Sequence, residues 1–301
     1  MICLIAPTVC AADEPYLLVL GTAQDAGFPQ SGCRKSCCEK AWMDQSLRRF
    51  TASLAIVDPR SQQRWIIDAT PDFRDQLRIL EEVSGWKNSR SPVDGILLTH
   101  GHIGHYTGLM HLGREAMGTK SVPVYAMPRM QKFLQTSGPW SQLVKLENIR
   151  LLPIRESKVV KLNERISVTP FLVPHRDEFT ETVGFKIQGP QRSAIYLPDI
   201  DKWERWPTKI ETLIAQVDIA FLDGTFFDGD ELPGRDMRKI PHPFVVESIK
   251  RFSQLSEVDR RKVRFIHLNH TNRLLDKHSE ARRTVRQSGH HVAEQRERHS
   301  I

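Results

Sequence analysis

An apolar run at residues 95–98 stops at Thr99, and three histidines, His100, His102 and His105, follow within six residues. A short apolar run that ends this way reads as a buried strand opening into a loop, with imidazoles at the strand tip. Gly101 and Gly104 let that loop fold tightly, so side chains two and three positions apart can converge on one point. Neutral imidazole is the commonest side-chain ligand for zinc and suits iron as well. Twelve histidines occur in the chain, so scattered surface histidines are the competing reading. Clustering at one strand tip, with further candidates at others, favours a metal site.

Those further candidates follow the same pattern. The segment VPHRDEF puts His175 just after an apolar run that ends at Val173, and AIYLPDID puts Asp199 just after Tyr196 and Leu197. Asp201 competes for the Asp199 role but lies farther from the strand. FIHLNH puts His267 at another strand end, with His270 three residues on. Asp68 in IIDAT also ends an apolar run and suits orienting a histidine rather than binding metal. Alone, each would be a turn or cap residue. Asp223 ends a further strand and could hydrogen-bond a ligand histidine or receive a proton. His242, between two prolines, is either a plain loop residue or one that faces substrate; both join Asp199 as candidate catalytic residues.

A second constellation is GFPQSGCRKSCC, with Cys33, Cys37 and Cys38 inside six residues. Free thiols, a disulfide from Cys33 to either neighbour, or a structural zinc site all fit these residues. For zinc, His270 is the fourth ligand, because it follows His267 by three residues and would point away from the first site. Cys3 and Cys10 receive no role.

Strands are expected at residues 16–21, 52–58, 65–68, 95–98, 123–126, 149–153, 166–173, 182–187, 193–197, 219–223 and 264–268. Helices are expected from Phe73, at 108–117, 128–136, 203–216 and 244–255, and in a basic tail, with a loop over 22–38. Strands interleaved with helices along the whole chain indicate an α/β (α+β) fold of two sheets covered by helices, one domain over residues 13–301. Of 301 residues, 40% are hydrophobic and the net charge is +7, with arginine and lysine concentrated toward the C-terminus. That balance gives a solvated basic surface or a mild preference for small anionic substrates. No nucleic-acid-binding module is recognisable, no stretch is long enough to span a membrane, and a homodimer is compatible with the sequence. The first twelve residues, MICLIAPTVCAA, read as the remnant of an export signal, implying a periplasmic or secreted protein; a cytoplasmic one is the alternative.

The histidine loop resembles the HxHxDH motif of the metallo-β-lactamase superfamily, with Gly104 where the aspartate is expected. The resemblance implies a four-layer αββα fold with two mixed sheets between helices. It also implies that His100, His102 and His175 hold a first metal, that Asp199 bridges, and that His105 and His267 hold a second, one ligand short. The GFPQ…C loop, the Asp223-Gly224-Thr225 element and the His267, Asn269, Thr271, Asn272 segment are similar to coenzyme PQQ synthesis protein B homologues. The retained HxH histidines beside a cysteine and histidine cluster also look like the cyclic phosphodiesterase of the phosphonate operon. The cysteine spacing differs from both, with Lys35 where a middle cysteine is expected. Three functions are implied. The leading one is a metallo-hydrolase in which a metal-bound hydroxide attacks a phosphodiester or ester, with one structural zinc and one or two catalytic zinc ions, iron or manganese being alternatives at the active site. The second is an iron-dependent oxidative step in pyrroloquinoline quinone biosynthesis, suited to a weakened second position. The third is a non-catalytic carrier with the same fold.

Overall fold

The computed structural model describes residues 14–86 and 91–301, so the export-signal segment at residues 1–12 lies outside the described residues. Among the described residues, fourteen strands form two seven-stranded sheets. The first sheet contains β1 (Tyr16–Gly21), β2 (Ser53–Asp58), β3 (Gln63–Ile67), β4 (Gly95–Leu97), β5 (Val122–Ala126) and β6 (Ile149–Pro153). The second contains β7 (Val160–Lys161), β8 (Ser167–Leu172), β9 (Val183–Gln188), β10 (Ser193–Leu197), β11 (Ile219–Asp223), β12 (Val263–Ile266) and β13 (His291–Val292). The last strand, β14 (Arg298–Ser300), returns to the first sheet and pairs antiparallel with β1. The orders are β14-β1-β2-β3-β4-β5-β6 and β13-β12-β11-β10-β9-β8-β7.

Strand alternation builds the layers. Leu17 and Val19 of β1 turn toward the second sheet, while Leu18 and Leu20 turn toward the helices at Phe73–Ser84 and Thr107–Leu112. On β11, Ile219 and Phe221 face the space between the sheets, and Ala220 and Leu222 face the helices that carry Ile210, Val245 and Val285. Successive strand residues point to opposite faces, so a strand covered on both sides must be apolar throughout. This is why YLLVLG and IAFLD read as unbroken runs. The result is the four-layer αββα sandwich, with each fully buried aliphatic or aromatic side chain contributing roughly 1.5–3 kcal/mol.

Direction matters more than layering for the site. β3, β4, β5 and β6 are mutually parallel, and β2 lies antiparallel between β1 and β3, so β1 runs with β3. In the other sheet β10 to β13 are parallel, and β9, antiparallel to both neighbours, sets β8 in the direction of β10. The carboxyl ends of β1, β3 and β4 therefore share one rim, and those of β8, β10, β11 and β12 share another. Crevices beyond such ends are where open α/β sheets bind ligands. The two rims are tied together: Leu268 N–H donates to Thr22 O and Gln24 N–H to Leu268 O, both at 2.8 Å, and Val183 N–H donates to Thr99 O at 3.1 Å.

Four local expectations need correction. The helix expected at 108–117 begins earlier, as Ile103–Tyr106, and tightens into a 3₁₀ turn over Thr107–Leu112. Gly108 explains the change, because its N–H donates to Ala69 O at 2.8 Å instead of to the preceding turn. The helix expected at 203–216 is split into Trp203–Arg205 and Ile210–Ala215 around Pro207, which has no N–H to continue the ladder. The loop expected over 22–38 ends in a helix, Ser36–Met43, that carries Cys37 and Cys38 in its first turn. The basic tail is α-helical only over Glu280–Gln287, after a 3₁₀ turn at Arg273–Leu275; two edge strands follow. No helix among the described residues is long and apolar enough to cross a membrane.

Candidate metal centre

The strand ends converge. His100 Nε2 lies 2.9 Å from His102 Nδ1, and both have donor atoms within 4.8 Å of His175. Asp199, 3% exposed, stands between two groups of donors. Its Oδ1 is 3.7 Å from His175 Nε2, while its Oδ2 is 3.1 Å from His105 Nε2 and 3.2 Å from His267 Nε2. Asp201 is turned away and pairs with Arg205 at 2.6 Å. A further carboxylate, unforeseen in the sequence, completes the second group: Asp25 Oδ1 lies 3.2 Å from His105 Nε2 and 3.6 Å from His267 Nε2. His242 also reaches the cluster, with a ring nitrogen within 4.8 Å of donors on His175 and Asp199.

Each sheet supplies one acid and one threonine that orient these rings. Asp68 Oδ2 holds His105 Nδ1 at 2.8 Å, and Thr99 Oγ1 donates to Asp68 while lying 3.0 Å from His100 Nδ1. On the other rim Asp223 Oδ2 holds His242 Nδ1 at 2.7 Å. Thr225 Oγ1 donates to Asp223 and lies 3.0 Å from His267 Nδ1. The Nε2 atoms of His100, His105 and His267 thus all turn inward. Asp68 and His267 adopt left-handed backbone angles, φ 68° and 66°. Each such non-glycine conformation costs about 1–3 kcal/mol and persists where surroundings enforce it. His102 is held from outside by Glu178, whose Oε2 is 3.2 Å from His102 Nε2.

The electrostatics suit ligation at the first group. Burial, followed by the neighbouring His105, holds His100 well below the ordinary imidazole pKa, and burial lowers His175 to about 4. Both rings are neutral at pH 7, the form that binds a metal. Burial also opposes charge on His105 and His242, but Asp68 and Asp199 outweigh it at His105, and Asp223 at His242, raising both. Asp25 Oδ1, Asp199 Oδ2, His105 Nε2, His267 Nε2 and both ring nitrogens of His175 are buried without a well-formed hydrogen bond. Buried polar atoms are rarely left so, and several converging on one point fit cations.

The cysteines form a separate cluster. Cys33 Sγ and Cys37 Sγ are 3.8 Å apart, and His270 Nδ1 lies 3.7 Å from Cys37 Sγ and 3.4 Å from Cys38 Sγ. All three thiols are free, which excludes the disulfide reading. Four donors around zinc at Zn–S near 2.3 Å would be separated by about 3.8 Å between sulfurs, so the spacing fits a tetrahedral ion. Burial pushes the Cys38 thiol up to about 12 even though Gln30 N–H donates to its sulfur, so a thiolate there needs a cation partner. The cluster joins the loop after β1 to the segment after β12, the two stretches that carry Asp25 and His267.

Residues 63–268 match the family model described as the beta-lactamase superfamily domain. The chain belongs to that superfamily. Within it, the chain is similar to coenzyme PQQ synthesis protein B of Methylorubrum extorquens (strain PA1), 27% identical over 92% of this chain and 97% of that one. The protein of the same name from Xanthomonas campestris pv. campestris (strain B100) is 28% identical over the same shares. The fold is that of zinc-bound PqqB from Methylobacterium extorquens (TM-score 0.80, 24% identity, covering 95% of this chain and 100% of that one). It is also that of a diphosphatase from the PhnP family (TM-score 0.69, 23% identity, covering 96% and 97%).

Against the superfamily's HxHxDH motif, Asp25 and Glu178 are the residues that sequence reasoning missed. The second position is not a donor short, because Asp25 Oδ1 stands beside His105 and His267. Its signal was indirect: Gly104 lacks the motif's acid, and Asp25 is the acid that follows β1. Glu231 was also missed. It braces the loop carrying His242, accepting from Phe227 N–H and from Thr271 Oγ1. Burial raises Glu231 to about 7. The folded chain then keeps a proton that the unfolded chain releases near pH 4.5, so stability falls as pH rises from about 4.5 to about 7. Thermal melts across that range are expected to lose this component of the slope in Glu231→Gln; an unchanged slope would refute the assignment.

Proposed function

We propose that this superfamily member is a metal-dependent hydrolase, PqqB-like in fold and motifs, acting on a small anionic phosphodiester or ester. The observation that carries the reading is Asp199: one buried carboxylate between His175 on one side and His105 and His267 on the other, with its own Oδ2, His105 Nε2, His267 Nε2 and both ring nitrogens of His175 lacking a well-formed hydrogen bond. His100, His102, His175 and Asp199 would hold one cation. Asp199, His105, His267 and Asp25 would hold the other, and Cys33, Cys37, Cys38 and His270 a structural zinc. Paired divalent cations, when bound, supply a nucleophile at neutral pH and neutralise charge on ester oxygens. The chain's own contribution is orientation. Asp68 and Thr99 fix the rings of one rim, and Asp223 and Thr225 those of the other, so Asp223 acts as a positioning residue. With Nδ1 engaged by Asp223, His242 turns Nε2 toward the site, where it can hold a proton for a substrate oxygen.

The anionic preference rests on the adjoining cleft of about 520 Å³. His242 and Gln24 line it together with Arg176, Arg235 and Lys239. The facing Asp236 is already engaged by Arg238 at 2.9 Å. Zinc- or manganese-loaded protein is expected to hydrolyse bis(p-nitrophenyl) phosphate. The double variant Arg235→Ala/Lys239→Ala should raise KM about tenfold while holding kcat, a tenfold change being 1.4 kcal/mol. Fully loaded protein inert toward both this diester and p-nitrophenyl esters would refute the proposal. The oxidative reading had two supports, the likeness to a PQQ-pathway protein and a weakened second position; Asp25 beside His105 and His267 speaks against the second of them.

A further inference from the structure

In the motif this chain resembles, the acid for the second cation immediately precedes the last histidine; here that position is Gly104. A Cβ built on Gly104 would lie 2.2 Å from Asp25 Oδ1, 2.6 Å from Asp25 Cα and 2.8 Å from Asp25 Cβ. The loop leaving β1 therefore occupies the space any side chain at position 104 would need. We propose that Asp25 has taken over the role of the missing aspartate as the second cation's carboxylate, and that position 104 is glycine because Asp25 fills its side-chain space. The inference rests on reading the histidine cluster as a metal centre.

Three independent observations support the exchange. Asp25 Oδ1 is buried without a hydrogen-bond partner, although the side chain as a whole is 35% exposed. That oxygen is also the one turned to His105 and His267, at 3.2 and 3.6 Å. The loop is fixed from both sides: Gln24 N–H donates to Leu268 O, next to His267, and Thr51 Oγ1 donates to Asp25 O at 3.3 Å. Topology makes this reach available, since β1 runs parallel to β3 and its loop emerges on the rim where the histidine helix begins. The carboxylate thus comes from a different element, while the position it reaches adjoins the same His105.

The test is metal stoichiometry, with Mn2+ as the probe. The full chain is titrated with Mn2+, its content measured by elemental analysis, and coupling between ions read by electron paramagnetic resonance. The wild type is expected to hold a spin-coupled pair in the histidine cluster. Asp25→Ala, and equally Gly104→Ala, should weaken the second ion at least about tenfold and leave the signal of an isolated ion. Gly104→Ala is the sharper arm, because it removes no donor atom and acts only by displacing Asp25. Asp25→Asn keeps the shape of the loop if the alanine variant fails to fold, and melting of the metal-free chains reports folding. Folded Asp25→Ala and Asp25→Asn chains that keep a coupled pair at wild-type affinity would overturn this inference alone. A wild-type cluster that takes up no Mn2+ would overturn it together with the metal-centre reading.

Discussion

Asp199→Asn is expected to lower hydrolysis by on the order of a thousandfold or more and to empty at least one position of the histidine cluster. The substitution keeps shape and volume and removes only charge. Burial opposes a charge on Asp199, but His267 and His105 outweigh it and hold its pKa well below the carboxylate range, so the group is an anion in the fold. Two cations sharing one carboxylate repel each other less than two that do not, and a neutral amide loses that screening. The metal-free variant should also melt below the metal-free wild type, because the change removes one partner of a buried charge pair and leaves His105 and His267 less compensated. Turnover measured alongside metal content decides the matter. A variant with full metal and full activity would show that the Asp199 carboxylate is not needed by either group of donors.

If the cysteine cluster holds the proposed structural ion, Cys38→Ser is expected to release it and destabilise the chain by about 3–5 kcal/mol, the scale of a cross-link that closes a long loop. The link runs from Cys38 to His270, 232 residues apart in sequence. The secondary effect is more diagnostic. Because the same two segments position Asp25 and His267, an ion bound beside those two should also bind more weakly, while one that His100, His102 and His175 would hold should not change. Calorimetric melting and metal titration measure the two effects separately. A variant with unchanged melting and unchanged metal content would refute the structural role.

The gathering of donors was legible in the sequence where chemistry coincides with a strand end. His100, His102, His105, His175, Asp199 and His267 each follow an apolar run, and the fold brings those ends together because their strands run the same way in each sheet. Cys33, Cys37, Cys38 and His270 were legible from donor type and local spacing. Asp25 was not, because it lies in a turn-rich loop whose destination depends on β2 reversing the chain between β1 and β3. Glu178 and Glu231 were hidden for a related reason, since each acts from a loop on a residue distant in sequence. Helix limits failed where one residue diverts the backbone, Gly108 toward Ala69 O and Pro207 by its missing N–H. Acids that look alike in sequence, such as Asp199 and Asp201, separate only when one is seen to face the histidines and the other Arg205.

The claim at the centre of the account is that two rims of strand ends pool their donors around a pair of ions, with a third ion held apart by cysteine and histidine. Element-resolved metal analysis of chain purified without chelators, beside Cys38→Ser, tests it most directly. The account predicts three ions per wild-type chain and the loss of the cysteine-bound one in the variant. A folded wild-type chain that carries metal only at the cysteines, and takes up none at the histidines when metal is supplied, would contradict it.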